Sequence, residues 1–189
     1  MRRLLIALLI SLAACTATPD KNLHDLTLDE APYWDLESLA GFDDALRKAY
    51  ETKNYFWIND GQSPIDFDDL DYAEFSKFNG KVRIYKSRNK ENHMSVSFSA
   101  CNGIRAIYER DGDLWKYVVF GQTTIACERG VKDKSGKQVI LYTAMVADDW
   151  FAKLARDIAN YDVSPDGQTL TLTNIEGEPL GIFKKRATT

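Results

Sequence analysis

Three thiols and two imidazoles are the most reactive side chains of this 189-residue chain, and they are few and far apart. A nucleophilic Ser or Cys needs a base within hydrogen-bond reach. The two histidines are His24, in a polar N-terminal stretch, and His93, at the start of the alternating segment Met94 to Ser99. His93 reads as a strand-end residue, so no Ser-His-Asp or Cys-His set forms along the chain. A zinc site takes three or four His, Cys or carboxylate ligands, and neither HExxH nor CxxC spacing occurs. The acidic run from Asp66 to Phe75 resembles a calcium loop, yet Leu70 stands at the third ligand position and no glycine follows. A solvated acidic helix is the expectation there. Carboxylate pairs such as Glu109 with Asp111 fit a solvated hairpin, and no Gly-rich phosphate loop is present. The reading is therefore of a protein without catalytic residues, metal ligands or cofactor. A thiol-disulfide or hydrolytic enzyme acting through Cys101 or Cys127 would require one of them to be exposed and unpaired.

Cys15 has a different chemistry. Arg2 and Arg3 precede the apolar run Leu4 to Ile10, and Leu12-Ala13-Ala14-Cys15 follows. A positive start, an apolar run too short to span a bilayer and small residues before the cut describe a secretory signal. A cysteine at the first mature position adds the pattern at which bacterial lipoproteins receive diacylglycerol. We read residues 1–14 as a lipoprotein signal peptide and Cys15 as the lipidation site, carrying palmitate-type chains; the competing reading is an ordinary signal with an incidental cysteine. Thr16, where inner-membrane retention would favour Asp, points to the outer membrane and a periplasm-facing position, with surface exposure left open. Loss of Arg2 and Arg3 takes the formal charge from −4 to −6, which disfavours a nucleic-acid partner. The partners expected are the membrane, through lipid on Cys15, and an envelope protein.

Cys101 and Cys127 remain. In an oxidising compartment an even count of thiols reads as a disulfide, the alternative being two buried, reduced cysteines acting as small apolar side chains. Residues 15–32 are polar without sustained periodicity and read as lipid anchor and tether, with a docked strand through Leu23, Leu26 and Leu28 as the alternative. The 33–189 remainder has the length of a single globular domain.

The elements that must position these residues follow from hydrophobic periodicity. From Trp34 to Lys53 the apolar spacing is helical from at least Phe42 onward, with Gly41 weakening the middle. Tyr55 to Ile58 is a short aromatic strand. Beyond Lys81 come short alternating strands: Val82 and Ile84, Met94 to Ser99, Ile104 to Glu109 and Leu114 to Phe120, the last two joined by the turn-prone Asp111-Gly112. Thr123 to Cys127 adds an extended piece and Glu128 to Lys137 a loop. Ile140 to Ile158 repeats apolar residues at helical steps, with a break expected near Asp148 and Asp149. Thr169 to Thr173 and Leu180 to Lys184 close the chain as strands. The fold class expected is α+β: a curved antiparallel, half-barrel-like sheet packed with one main helix, plus an N-terminal helical segment.

Phe98-Ser99-Ala100-Cys101-Asn102-Gly103, then Thr123-Thr124-Ile125-Ala126-Cys127, then Leu170-Thr171-Leu172 occur in an order that resembles the META domain family, which includes HslJ-like bacterial lipoproteins. The META-like core covers about 80–186, and Trp34 to Gly41 is similar to the opening of such a domain. The family often has Gly before the cysteine and Arg after the asparagine, where this chain has Ala100 and Gly103. Its opening usually lies nearer the Cys-Asn pair, so residues 42–80 are read as an insertion or a separate subdomain. The resemblance implies an envelope or stress-associated role and supplies no catalytic residues.

Asn102 reads first as a turn residue bonding its own backbone, and second as part of a recognition surface with the cysteines. Trp115, Tyr117 and Phe120 read as packing rather than a ligand platform. If the helix breaks near Asp149, Trp150 and Phe151 become an exposed recognition anchor. The function expected is a non-enzymatic, stress-related or protein-interaction module. The alternative is a small apolar ligand or lipid held in a cavity between sheet and helix.

Overall fold

The computed structural model describes residues 22–52, 56–57, 70–88, 92–123, 127, 129–132, 134–136 and 138–187. The signal segment and Cys15 lie outside them, as do Asp66 to Asp69 and Thr124 to Ala126. The elements are β1 (Trp34–Leu39), α1 (Phe42–Thr52), β2 (Phe56–Trp57), α2 (Tyr72–Phe75), β3 (Lys81–Lys86), β4 (His93–Ser99), β5 (Gly103–Asp111), β6 (Leu114–Gln122), β7 (Arg129–Lys132), β8 (Gln138–Leu141), α3 (Thr143–Leu154), β9 (Asn160–Val163), β10 (Thr169–Thr173) and β11 (Pro179–Lys185). A short 3-10 turn, Leu23–Asp25, precedes them.

Eight strands form one antiparallel sheet in the order β6-β5-β4-β3-β1-β11-β10-β9, and β2-β8-β7 form a second. Period-two alternation decides which face is core. On β5, Ile104, Ala106 and Tyr108 are buried while Gly103, Arg105 and Glu109 are exposed. Gly112, at φ 62°, takes the left-handed conformation that lets β5 turn directly into β6. The sheet curves strongly enough that Trp115 N–H, on edge strand β6, donates to Ala159 C=O just before the opposite edge strand β9, at 2.8 Å. Among the described residues no strand pairing closes the two edges, so the sheet is an open half-barrel. The α+β expectation of a curved antiparallel sheet with one main helix matches this architecture.

The concave side is filled by α3. Phe151 stacks on Phe98 with centroids 4.2 Å apart and planes 11° from parallel, and Tyr108 Oη donates to Ala155 C=O at 2.6 Å. Trp34, Phe183, Leu170 and Leu172 continue the same core. Helix α1 packs against α3, with Ala45 and Ala49 beside Val146 and Trp150, and buries Phe42, Leu46 and Ala49. Among the described residues no helix is long and apolar enough to cross a membrane.

Several local expectations need correction. Trp34–Leu39 is a strand, and Gly41 is not a weak point inside a helix: at φ 66° it is the hinge between β1 and α1, where a Cβ would sit 3.2 Å from the Trp150 ring. Ile140 and Leu141 belong to β8, because an apolar run with β-branched residues suits a buried strand as well as a helix. Helix α3 begins at Thr143 and runs through Asp148 and Asp149 without a break. The loop read over Glu128 to Lys137 contains β7, paired with β8. From Asn22 onward the supposed tether is docked: Lys86 N–H donates to Leu26 C=O, and the Arg83 guanidinium binds the carbonyls of Leu28 and Ala31. Leucines too sparse for a periodic signal still find a surface because arginine satisfies the backbone between them.

Two side chains carry the helix-sheet contact and give a graded test. Phe151→Ala removes a buried ring and should cost about 3–5 kcal/mol. Tyr108→Phe leaves the Ala155 carbonyl unpaired and should cost about 1–2 kcal/mol. Urea unfolding followed by far-UV circular dichroism checks both; midpoints should fall in that order with unchanged slope.

Candidate functional site

The β4–β5 connection, Ala100-Cys101-Asn102, turns at one end of the half-barrel, where three successive backbone N–H groups leave the sheet ladder. All three converge on one side chain. Asp148, in the middle of α3, accepts from Ala100 N at 3.0 Å, Cys101 N at 3.1 Å and Asn102 N at 2.6 Å. Its side chain is fully buried. Burial pushes the Asp148 carboxyl above its usual range, opposed by the hydrogen bonds from Asn102, Ala100 and Cys101.

Cys101 is bridged to Cys127, with the Cα atoms 5.5 Å apart and a sequence separation of 26. Asn102 is buried, and its Nδ2 donates to Cys101 Sγ at 3.5 Å. The bridged sulfurs offer no free thiolate for nucleophilic chemistry. The same end of the fold carries an open cleft of about 550 Å³ with Lys77, Asn79, Cys127, Arg129 and Thr143 among its walls. Lys77 and Arg129 both pair with Glu74. A second open groove, about 570 Å³, runs between α1 and α3 and is lined by Asp44, Lys48, Asp149, Trp150 and Lys153.

The structure thus brings Cys101, Asn102 and Cys127 together around a residue that sequence reasoning cast only as a helix break. Asp148 gave no signal beyond an acid at an inward helical position, between Ala147 and Phe151. Asn102 and Phe151 are corrected as recognition residues: both are buried, Asn102 at 3% and Phe151 at 1% exposure. With α3 unbroken, Phe151 follows the inward stripe. Trp150 stands at the groove edge, half-buried, with Nε1 donating to Ala40 C=O at 2.7 Å. An apolar ligand between sheet and helix would need space that Phe98, Phe151, Met94 and Ile104 occupy.

The histidines stand apart from this end. His24 packs edge-on against Trp115 with centroids 4.8 Å apart, and its Nδ1 lies 3.1 Å from Tyr161 Oη. Burial, ahead of the charges nearby, lowers its basicity. His93 is buried at the start of β4. Among the described residues no group of three or more His, Cys, Asp or Glu side chains is placed to hold a metal ion.

Asp148→Asn keeps the shape but leaves one carbonyl oxygen for three donors, and turns an amide N–H₂ towards them. The variant should lose about 2–3 kcal/mol. Because the folded carboxyl is raised above 3.8, its contribution to stability is fullest below that value and declines as pH rises through the folded value. The deficit of the variant against wild type should therefore narrow with rising pH in urea titrations. A deficit that widens would show that the hydrogen bonds outweigh burial. Separately, reducing the bridge, or replacing Cys101 and Cys127 by Ser, should cost about 3.5 kcal/mol for a loop of this length, read from the same unfolding curves.

No family model matches the chain, and no curated protein does. Among solved structures, the chain is similar to the NMR structure of a protein from Burkholderia xenovorans, at 14% identity over 88% of this chain and 85% of that one, with a TM-score of 0.41.

Proposed function

We propose that this chain is a lipid-anchored protein of the bacterial cell envelope, held at the outer membrane through Cys15, whose META-like domain acts as a non-enzymatic module engaging an envelope protein. One observation carries the reading: Arg2-Arg3, the short apolar run and Leu12-Ala13-Ala14-Cys15 occur in the order and spacing that lipoprotein processing requires. Acylation of the thiol and of the new amino group supplies more chains than the two signals stable anchoring takes. The Cys101–Cys127 bridge supports the same compartment, since disulfides persist outside the reducing cytosol. Anchoring raises the effective concentration of the domain towards anything in the same membrane without adding a contact. A stress-related role follows from the family resemblance alone.

Mass analysis of the mature N-terminus should find Cys15 first, with a diacylglyceryl thioether and an acylated amine. Cys15→Ser should move the protein from the membrane to the soluble fraction. Crosslinking in intact envelopes should recover an envelope protein with the anchored form and much less of it with the soluble form. An unmodified Cys15 overturns the localisation, and an anchored protein that yields no partner overturns the interaction module.

A further inference from the structure

The docked N-terminal segment decides which end of the domain meets the membrane. Asn22 is already part of the fold: Tyr161 Oη bonds its Oδ1, and its C=O accepts from Asp25 N at 2.9 Å. His24 is seated on Trp115 and Tyr161, and Leu26 is tied to Lys86. Seven peptide units join Cys15 to Asn22. However they are arranged, they span at most about 25 Å.

Strands β3 to β6 show which end Asn22 occupies. Lys86, His93, Arg110 and Trp115 lie together, through the bonds from Lys86 N to Leu26 O, Ser87 N to His93 O and Arg110 N to Asn92 O. The seven residues of β4 then run from His93 to Ser99, about 20 Å along the sheet to the loop held by Asp148. The Asn22 end is mostly charged or polar: Arg88, Asn92, Arg110, Asp111 and Asp113 are exposed there, and the exposed Ile175 shares an open cleft with Asp111, Trp115 and the exposed Glu176, a lone apolar side chain among charges; Tyr33, Val118 and Val119 are the other large exposed apolar side chains.

Resting on the lipid anchor at Cys15 proposed above, we infer that the end of the half-barrel bearing Asn22, His24, Arg110 and the Asp111–Asp113 turn is apposed to the lipid headgroups without entering the bilayer, and that the Cys101–Cys127 end points away from it. The tether contributes reach, and the docked segment contributes orientation.

The test uses the acylated protein purified from envelopes, labelled with ¹⁵N and placed in nanodiscs of phosphatidylethanolamine and phosphatidylglycerol that carry a nitroxide on a fraction of headgroups. Amide signals of Asp25, Arg110 and Gly112 should be broadened several-fold more than those of Ala100 and Gly103. Inserting about twenty Gly-Ser residues between Pro19 and Asp20 should flatten that gradient, while leaving the spectrum of the domain unchanged. Equal broadening at both ends in the uninserted protein, or stronger broadening at Ala100, overturns the orientation. Quenching of tryptophan fluorescence by lipids brominated along the acyl chains overturns apposition without insertion. Mass analysis of the same sample separates the two levels: an acylated Cys15 with no gradient sinks the orientation alone, and an unacylated Cys15 sinks the anchor and the orientation with it.

Discussion

A carboxylate without solvent, holding three consecutive backbone N–H groups, is the contact on which the placement of α3 depends. Taking a carboxylate out of water costs several kcal/mol unless hydrogen bonds replace its hydration. The turn at Ala100-Cys101-Asn102 has the complementary need, because its N–H groups point inward and buried donors must be paired. Neither the helix nor the turn is satisfied alone. Once Asp148 is seated, Phe151 lies one helical step further along the same face and meets Phe98, and Ala155 a step beyond meets Tyr108. Cys101 sits inside the locked turn, so its bridge ties Cys127 to the same point. Asn102 acts within that construction, with its backbone on Asp148 and its amide on the sulfur.

The sheet is held at its centre by strands from the two ends of the described chain. β1 lies between β3 and β11, so the β3–β6 meander and the β9–β11 closing strands are joined through a strand that precedes both. Arg186 N–H donates to Tyr33 C=O beside this pairing, and the Tyr33 ring carries the guanidiniums of Arg83 and Arg186 and the ammonium of Lys81. These pairings are non-local, so each pays loop-closure entropy before it gains contact area. The hydrophobic faces of β4, β5 and β10 offset that cost only when α3 is present to cover them.

The sequence made the sheet legible wherever one face was wet. β10 alternates strictly, and β5 alternates in burial from Gly103 to Ala106, so their period and core face could both be read; β4 alternates in sequence from Met94 to Ser99 although His93 and Ser95 are buried as well. It failed where both faces or all sides are buried: Val139, Ile140 and Leu141 are an apolar run with no period to choose between strand and helix. β1 was misread because helical spacing from Phe42 was carried back across Gly41, whose left-handed φ ends the strand. Docking of residues 22–31 could be read only as the alternative to a tether, because it rests on carbonyls, which every residue has, and on one arginine far along the chain. Asp148 was hidden for a related reason. Its partners are backbone N–H groups about fifty positions away, and backbone donors leave no mark in a sequence.

Several of the residues with the most chemistry on paper are thereby occupied by the architecture. Asp148 has both oxygens turned to amides, the two domain sulfurs are bonded to each other, and His24 spends its ring on Trp115 and Tyr161. A group whose lone pairs or valences hold the fold together reacts only if the fold gives way at that point. The surfaces these contacts hold rigid include the cleft beside Cys127 and the groove edged by Trp150. Both are framed by α3, and α3 is held in register by the carboxylate at its middle. A partner gripping either would meet a preorganised wall, and preorganisation reduces the ordering cost that binding must otherwise bear.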